Sequence, residues 1–291
     1  MKLYYYAFTG HKYGLDRVKR ASVILNKLRE KGMDTMLLVN DFRAGLVARD
    51  FGVPESISIE GIQDIDAVAE NGDIVIIDSP EDDHGRLVKY CADFKTVFRF
   101  AEHDDDKSIH GEKMLSIACQ DENCISSIIV DDLYFETQKK EEKVLFFLGD
   151  SDSNKTILNN SDFFENNKME LLLGNYFYVK YETDLEKIFD KLHEAEEYVD
   201  LICSSTIVVT ASFQTALEAV ASQAKVIFIE LKPLSLKEKE YLELLKIMIV
   251  IGFNKEKYCL YLEEIKLNDN YKECVNISKV DKIIDKIHNL C

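Results

Sequence analysis

No basic block interrupts this 291-residue sequence, and its formal net charge is −17 at pH 7. Such a field repels a polyphosphate backbone and argues against nucleic-acid binding. A small phosphorylated ligand stays possible, because a local nest of backbone N–H groups can hold an anion against the global charge. The seven cysteines, Cys91, Cys119, Cys124, Cys203, Cys259, Cys274 and Cys291, contain no C-x-x-C pair. A scattered, odd-numbered set argues against a zinc cage or a disulfide framework and for reduced thiols. No apolar run reaches the ~18–20 residues of a membrane span; the run 247–253 is far too short. The first residues enter a strand pattern directly, without an apolar stretch and a small-residue cleavage site. A cytoplasmic protein without an integral membrane segment is therefore expected.

The composition is that of a globular chain, 46% hydrophobic and 31% charged, so either half can bury a core. The length exceeds a usual single core of ~100–150 residues, and two domains are expected. Residues 3–8 form a β-rich run broken at Thr9-Gly10. From Asp16, the spacing of Val18, Ala21, Leu25 and Leu28 predicts a helix, with Gly32 where a terminating glycine belongs. Strands are predicted at 35–39, 57–59, 73–77 and 96–100, and helices through Phe42, Leu46 and Val47 to Gly52 and over 85–94. The polar stretch 136–142 reads as a linker. Beyond it, strands are predicted at 144–148, 176–179, 207–209, 226–229 and 248–251. Helices are predicted at 184–192 (Leu185, Ile188, Phe189 and Leu192 on one face), 215–221 and 235–246. Ser278 and Asp281 make a capping-box signature for a terminal helix with the stripe Val280, Ile283, Ile284 and Ile287. Strand–helix alternation implies parallel strands joined by crossover helices.

Five loops hold residues able to do chemistry. Between the first strand and helix lie Gly10, His11, Lys12, Tyr13 and Gly14, with Arg17 and Arg20 close behind. This loop suits a phosphate or polar sugar, or is a turn whose glycines permit positive φ and whose arginines are solvated. Gly149, Asp150, Ser151 and Asp152 follow another strand and suit either a nucleotide contact or a helix cap. Thr210, Ser212, Gln214 and Thr215 open a helix whose N–H groups can face a diphosphate. Glu218, one turn inside, can accept from ribose hydroxyls; the alternative is an ordinary capped helix. Asp78 ends a buried strand and is either a general base, a sugar contact or a cap. Glu102, His103, Asp104, Asp105, Asp106 and His110 offer metal-type ligands, but their spacing fits no metal motif and reads as a solvated loop. No metal and no cofactor are expected.

Taken together, the order and spacing of these loops resemble the nucleotide-sugar hydrolases of pseudaminic acid biosynthesis and their spore-coat polysaccharide relatives. These share the GT-B architecture with the glucosaminyltransferase of peptidoglycan synthesis. The resemblance rests on residues 14–32, 73–83, 144–158 and 207–229, within the stretches 1–100 and 140–235. It implies an α/β, GT-B-like fold, with two Rossmann-like doubly wound domains facing a cleft. Expected boundaries are 1–137 for the sugar-side domain, 143–275 for the nucleotide-binding domain and 276–291 for a docked terminal helix.

By the same resemblance, Thr210, Ser212, Phe213, Gln214, Thr215 and Glu218 would hold uridine diphosphate, with Glu218 on the ribose. Gly149, Ser151 and Asp152 would line the opposing face, and Gly14, Arg17 and Arg20 would lie by the sugar and pyrophosphate. The sequence departs from the pattern at three places. The family's first-loop histidine falls on Arg17 and its neighbouring glycine on Asp16; an arginine cannot serve as a base. A Gly-Gly pair falls on Ser212-Phe213, and a further glycine has become Asp150. His11 is a replacement titrating group or a turn residue. The implied function is that of a UDP-sugar hydrolase-like protein of surface-glycan or nonulosonic acid biosynthesis. The alternatives are a non-catalytic GT-B-like binding protein in a glycan or flagellar modification pathway, and a metal-independent glycosyltransferase.

Overall fold

Apolar strands alternating with amphipathic helices build two all-parallel sheets in the computed structural model, which describes residues 1–119, 124–177, 181–267 and 277–291. Residues 1–129 and 279–291 form one compact unit, and residues 130–278 form the other.

The first unit contains β1 (Leu3–Ala7), α1 (Asp16–Glu30), β2 (Thr35–Val39), α2 (Phe42–Asp50) and β3 (Ser56–Ser58). It continues with β4 (Ile74–Asp78), α3 (Arg86–Asp93), β5 (Thr96–Phe100), β6 (Lys113–Ser116) and β7 (Ile125–Ser126). Strand order is β3-β2-β1-β4-β5-β6-β7, each pair parallel. Every residue of β1 and β4 is buried, as strands covered on both faces require. Helix α1 buries Val18, Ala21, Leu25 and Leu28. It stops at Gly32, whose φ of +85° turns the chain so that the Met33 N–H meets the Leu28 carbonyl at 3.1 Å. Helix α2 buries only Ala44, Gly45 and Ala48 and leaves Phe42 and Leu46 exposed. A side chain at Gly45 would collide with Ser56, so the glycine lets α2 lie close to β3.

The second unit contains β8 (Glu141–Phe147), α4 (Thr156–Asn159), α5 (Ser161–Phe164), β9 (Glu170–Leu172), α6 (Glu182–Leu185) and β10 (Lys191–His193). After these come α7 (Tyr198–Ser204), β11 (Ser205–Thr210), α8 (Phe213–Ala221), β12 (Lys225–Glu230), α9 (Leu236–Leu244), β13 (Met248–Ile251) and α10 (Lys255–Leu267). The order is β10-β9-β8-β11-β12-β13, again parallel. Phe146, Phe163, Phe164, Phe189 and Tyr258 anchor its core, with Phe146 and Phe164 edge-to-face at 4.9 Å. The chain then returns to the first unit as α11 (Asp281–Leu290), which packs on α1 and β7. Its buried Ile283, Ile284 and Ile287 each contribute about 1.5–3 kcal/mol of apolar burial.

Several expectations are corrected. Tyr176 lies in a turn, its N–H on the Asp150 carbonyl at 2.7 Å, and the strand of that region is β9; residues 178 and 179 lie outside the described residues. The helix expected over 184–192 is the single turn α6, because Leu192 pairs with Leu171 as part of β10. Leu185, Ile188 and Phe189 reach the core without a continuous helix. The capping box at Ser278 is absent: Val280 is the N-cap residue of α11, and no side chain caps it. Cys119 and Cys124 form a disulfide, where reduced thiols were expected. Neighbouring β6 and β7 bring the two Cα atoms to 5.2 Å, a bridging distance that a search for C-x-x-C overlooks. Cys274 lies outside the described residues; Cys91, Cys203, Cys259 and Cys291 are free thiols. The polar stretch 136–142 runs into β8, and Lys140 Nζ donates to the Cys203 carbonyl at 2.7 Å. Residues 130–137 fall with the second unit, where the 3-10 turn Asp132–Phe135 packs on α8, and the terminal helix falls with the first.

In each sheet the chain reverses its direction of strand addition once, between β1 and β4 and between β8 and β11. Such a reversal splays the following loops apart beyond the carboxyl ends of the strands, where ligands of doubly wound sheets bind. Four of the loops singled out above follow these four strands.

Candidate functional site

In the first unit the loop after β1 is tied down at both ends. The Thr9 N–H donates to Asn40 Oδ1 at 2.7 Å, and Asn40 Nδ2 returns a bond to the Thr9 carbonyl at 3.0 Å. The N–H groups of Tyr13 and Gly14 both reach the Gly10 carbonyl at 2.9 Å. Gly10 and Gly14 have φ of +148° and +70°, the conformations for which the tight turn selects glycine. His11 lies half-buried in this turn.

Arg17 and Arg20, on the first turns of α1, do not extend into solvent. Asp78 at the end of β4 is 0% exposed. It accepts from Tyr5 Oη at 2.7 Å and Arg20 Nε at 2.6 Å, and also pairs with Arg20 Nη2. Arg17 Nε stands 3.2 Å from Asp78, while its Nη2 donates to Glu102 at 2.7 Å. Arg20 also covers the Phe100 ring at 4.5 Å. A carboxylate removed from water requires such compensation. Burial and the neighbouring Asp78 drive the Tyr5 phenol well above its ordinary range. The general-base role proposed for Asp78 is corrected accordingly: its oxygens anchor two guanidinium groups, and none reaches solvent. Glu81 is similarly enclosed, accepting from Tyr6 Oη at 2.6 Å and Ser79 Oγ at 2.8 Å. In the same loop Asp82 and Asp83 close short turns onto the N–H groups of His84 and Gly85. Glu102, partly exposed and held by Arg17, is the carboxylate at this edge that sequence reasoning placed only among metal-type ligands. Asp106 accepts from the N–H groups of Glu102 and His103. Among the described residues no group of three or more His, Cys, Asp or Glu side chains could hold a metal ion.

In the second unit Phe147 and Thr210 stand in register on β8 and β11, so the loops that follow them are neighbours. Gly149 has φ of +142°. Asp152 caps the next turn, accepting from the Thr156 N–H at 2.5 Å and the Ile157 N–H at 3.1 Å. Asp152 is therefore occupied as a cap. Ser151 differs: its Oγ is buried and has no hydrogen-bond partner among the described residues. Ser212 is the N-cap residue of α8 and accepts from the Thr215 N–H at 3.0 Å. Thr210 Oγ1, fully buried, accepts from the Ser212 N–H at 3.1 Å. The half-buried Phe213 is the first residue of α8.

Glu218 is 2% exposed, and both oxygens are engaged. Gln214 Nε2 donates to one at 2.9 Å and Tyr198 Oη to the other at 2.5 Å. Tyr198 has one proton, which leaves Thr215 Oγ1 as the donor in their 2.7 Å contact. Burial first and Glu218 second push the phenols of Tyr198 and Tyr134 far above their ordinary value. The ribose role expected of Glu218 is thus replaced by an internal one: the carboxylate pins α7 to α8. Tyr134 and Tyr198 were missed from the sequence because nothing local marks either as a partner of Glu218.

No family model matches the sequence, and no curated protein matches it. Solved structures do. The UDP-GlcNAc 2-epimerase of Methanocaldococcus jannaschii, in complex with UDP-GlcNAc and UDP, superposes with a TM-score of 0.65 at 12% identity, covering 100% of this chain and 99% of its own. MnaA of S. aureus, bound to UDP, gives 0.66 at 12% identity over 99% and 95%. The spinosyn rhamnosyltransferase SpnG, complexed with spinosyn aglycone, gives 0.63 at 8% identity over 100% and 97%. At these identities the likeness is one of fold. The chain has a GT-B-like fold, two parallel-sheet α/β units with a seven-stranded and a six-stranded sheet.

Proposed function

We propose that the chain binds a nucleotide-activated sugar, with the nucleoside diphosphate on the second unit's loops after β8 and β11. The observation that carries this reading is the buried Ser151 Oγ, without a hydrogen-bond partner among the described residues, beside the strand reversal and next to the loop that opens α8. A buried hydroxyl without a partner calls for an absent one. A helix start leaves several N–H groups without intrahelical partners, and Ser212 accepts from that of Thr215. Gly149, Ser151, Thr210, Ser212, Phe213, Gln214 and Thr215 form this nucleotide set, and Asp152 and Glu218 support it from beneath. Uridine is the favoured base, because two of the similar structures hold UDP or UDP-GlcNAc.

The proposed reaction is hydrolysis. Water oxygen bonds to the anomeric carbon, the bond from that carbon to the phosphate oxygen breaks, and the nucleoside diphosphate leaves. The dipole of α8 stabilises the charge on the departing group. A base takes the water proton; His11 is the candidate the first unit offers, in the same turn as Gly14, and Arg17, Asp78 and Arg20 cluster in that unit. A second reading, binding without turnover, is favoured by one specific observation: Asp78, Arg17 and Arg20 are occupied with one another.

A thermal-shift series with UDP, UMP, CMP, GDP and UDP-GlcNAc, followed by NMR of the incubated sugar nucleotide, tests both. A ligand at 100 times its Kd stabilises by about 2.7 kcal/mol, a readable shift. A UDP-selective shift with free sugar released supports hydrolysis, and a shift without product supports the second reading. Absence of any nucleotide response defeats both.

A further inference from the structure

Within the second unit a cavity of about 590 Å³ opens at the amino ends of the strands, the opposite end of the sheet from the nucleotide loops. β8 has seven residues, which separates the two regions by ~20 Å. Four lysines converge on this cavity, Lys143, Lys168, Lys225 and Lys266, in a chain whose net charge is −17.

Two of them are already employed. Lys143 Nζ lies 2.9 Å from Glu141, and Lys225 Nζ donates to the Ile265 carbonyl at 2.6 Å. The ammonium groups of Lys168 and Lys266 have no ion-pair or hydrogen-bond partner among the described residues. Of the carboxylates in the lining, Glu170 is held by His193 Nε2 at 2.7 Å. Glu142 and Asp190 accept no hydrogen bond through their side chains among the described residues, and Thr206, whose hydroxyl donates to the Glu141 carbonyl, lines the same cavity.

We propose that this cavity is a second ligand site, for a phosphorylated polyhydroxyl compound. Its volume lies in the range of small-molecule sites, ~300–1,000 Å³. Lys168 and Lys266 meet the phosphate, and Lys225, held by the Ile265 carbonyl, adds positive charge to the same lining. Glu142 and Asp190 repel a bare anion but accept from hydroxyls, so the site selects a phosphate ester of a polyol over free phosphate. The site is independent of the nucleotide reading, because it shares no residue with it.

Calorimetric titration of the full chain with glucose 6-phosphate, inorganic phosphate and glucose tests the proposal. Saturable binding of glucose 6-phosphate is expected, at least about tenfold tighter than phosphate and without competition from UDP. The Lys168→Glu, Lys266→Glu double variant alters two exposed side chains and is expected to weaken binding by about tenfold or more. The Lys168→Arg, Lys266→Arg variant should retain it. In the unaltered protein, the methyl resonance of Met169, which lines the cavity, should shift on titration. Absence of saturable binding at millimolar concentrations would overturn the proposal. So would affinity unchanged in the Glu variant, or loss of binding in the presence of saturating UDP.

Discussion

A carboxylate sealed from water needs cations within reach, and Asp78 has two. Asp78→Asn keeps the shape of the side chain but removes the charge that Arg17 and Arg20 face. The expected cost is about 3–5 kcal/mol, the range for breaking a buried ion pair from one side, measured by urea denaturation. A loss below about 1 kcal/mol would mean that the arginines turn to solvent without penalty. Tyr198→Phe removes the hydroxyl that donates to one oxygen of Glu218 and should cost about 1–3 kcal/mol. Both arrangements explain what the sequence conceals. Arg20 and Asp78 are 58 positions apart and Tyr198 and Glu218 are 20 apart; residue type marks each as chemically able, and only the fold assigns the partner. Gly149 and Gly14 were legible because a positive φ restricts the residue itself. Gly174 was not, since its constraint comes from elsewhere: any side chain there would run into the Asp150 backbone. Gly174→Ala should therefore destabilise by about 1–3 kcal/mol.

Elements whose identity depends on their own composition were readable. The run at β4 is apolar throughout, and α1 carries its apolar stripe and its stop. β6 and β7 were not recognised, being four and two residues long and specified by the neighbour that receives them. The segment 184–192 shows the converse, a helical spacing that the sheet overrides by taking residues 191–193 as β10. The connection from β5 to β6 is organised by one buried carboxylate. Glu112 accepts from the N–H groups of His110 at 2.8 Å and Ile109 at 3.0 Å, with Arg99 at 3.6 Å. Burial alone would raise its pKa; these donors and Arg99 outweigh it and hold the group below its ordinary value. A depressed carboxylate stabilises the fold above its unfolded value of about 4.3. That contribution declines as pH falls through the lower folded value and is absent below it. Urea midpoints measured from neutral to acid pH should show this loss, and Glu112→Gln should flatten that part of the profile. An unchanged profile would assign the acid sensitivity to other groups.

At the scale of the whole molecule, each sheet has its own core and its own strand reversal, and the repeated alternation made this doubling readable. The crossing points were less so. The polar stretch 136–142 looks like a hinge between domains, yet the compact units meet at 129 and 130, because the 3-10 turn that follows is packed on α8. The return crossing at 278 and 279 has a kinetic meaning. The N-terminal sheet is synthesised first, but α11, which contacts α1 and β7 and donates Lys286 Nζ to the Cys124 carbonyl at 2.6 Å, is made after the whole intervening unit. On the ribosome, the older half of the chain must wait with an apolar flank uncovered while the younger half completes itself. A chain cut after residue 129 should accordingly fold less stably than the same chain supplied with residues 279–291, as amide hydrogen exchange would report. Premature termination just ahead of the last helix would injure the part of the protein farthest from it in sequence.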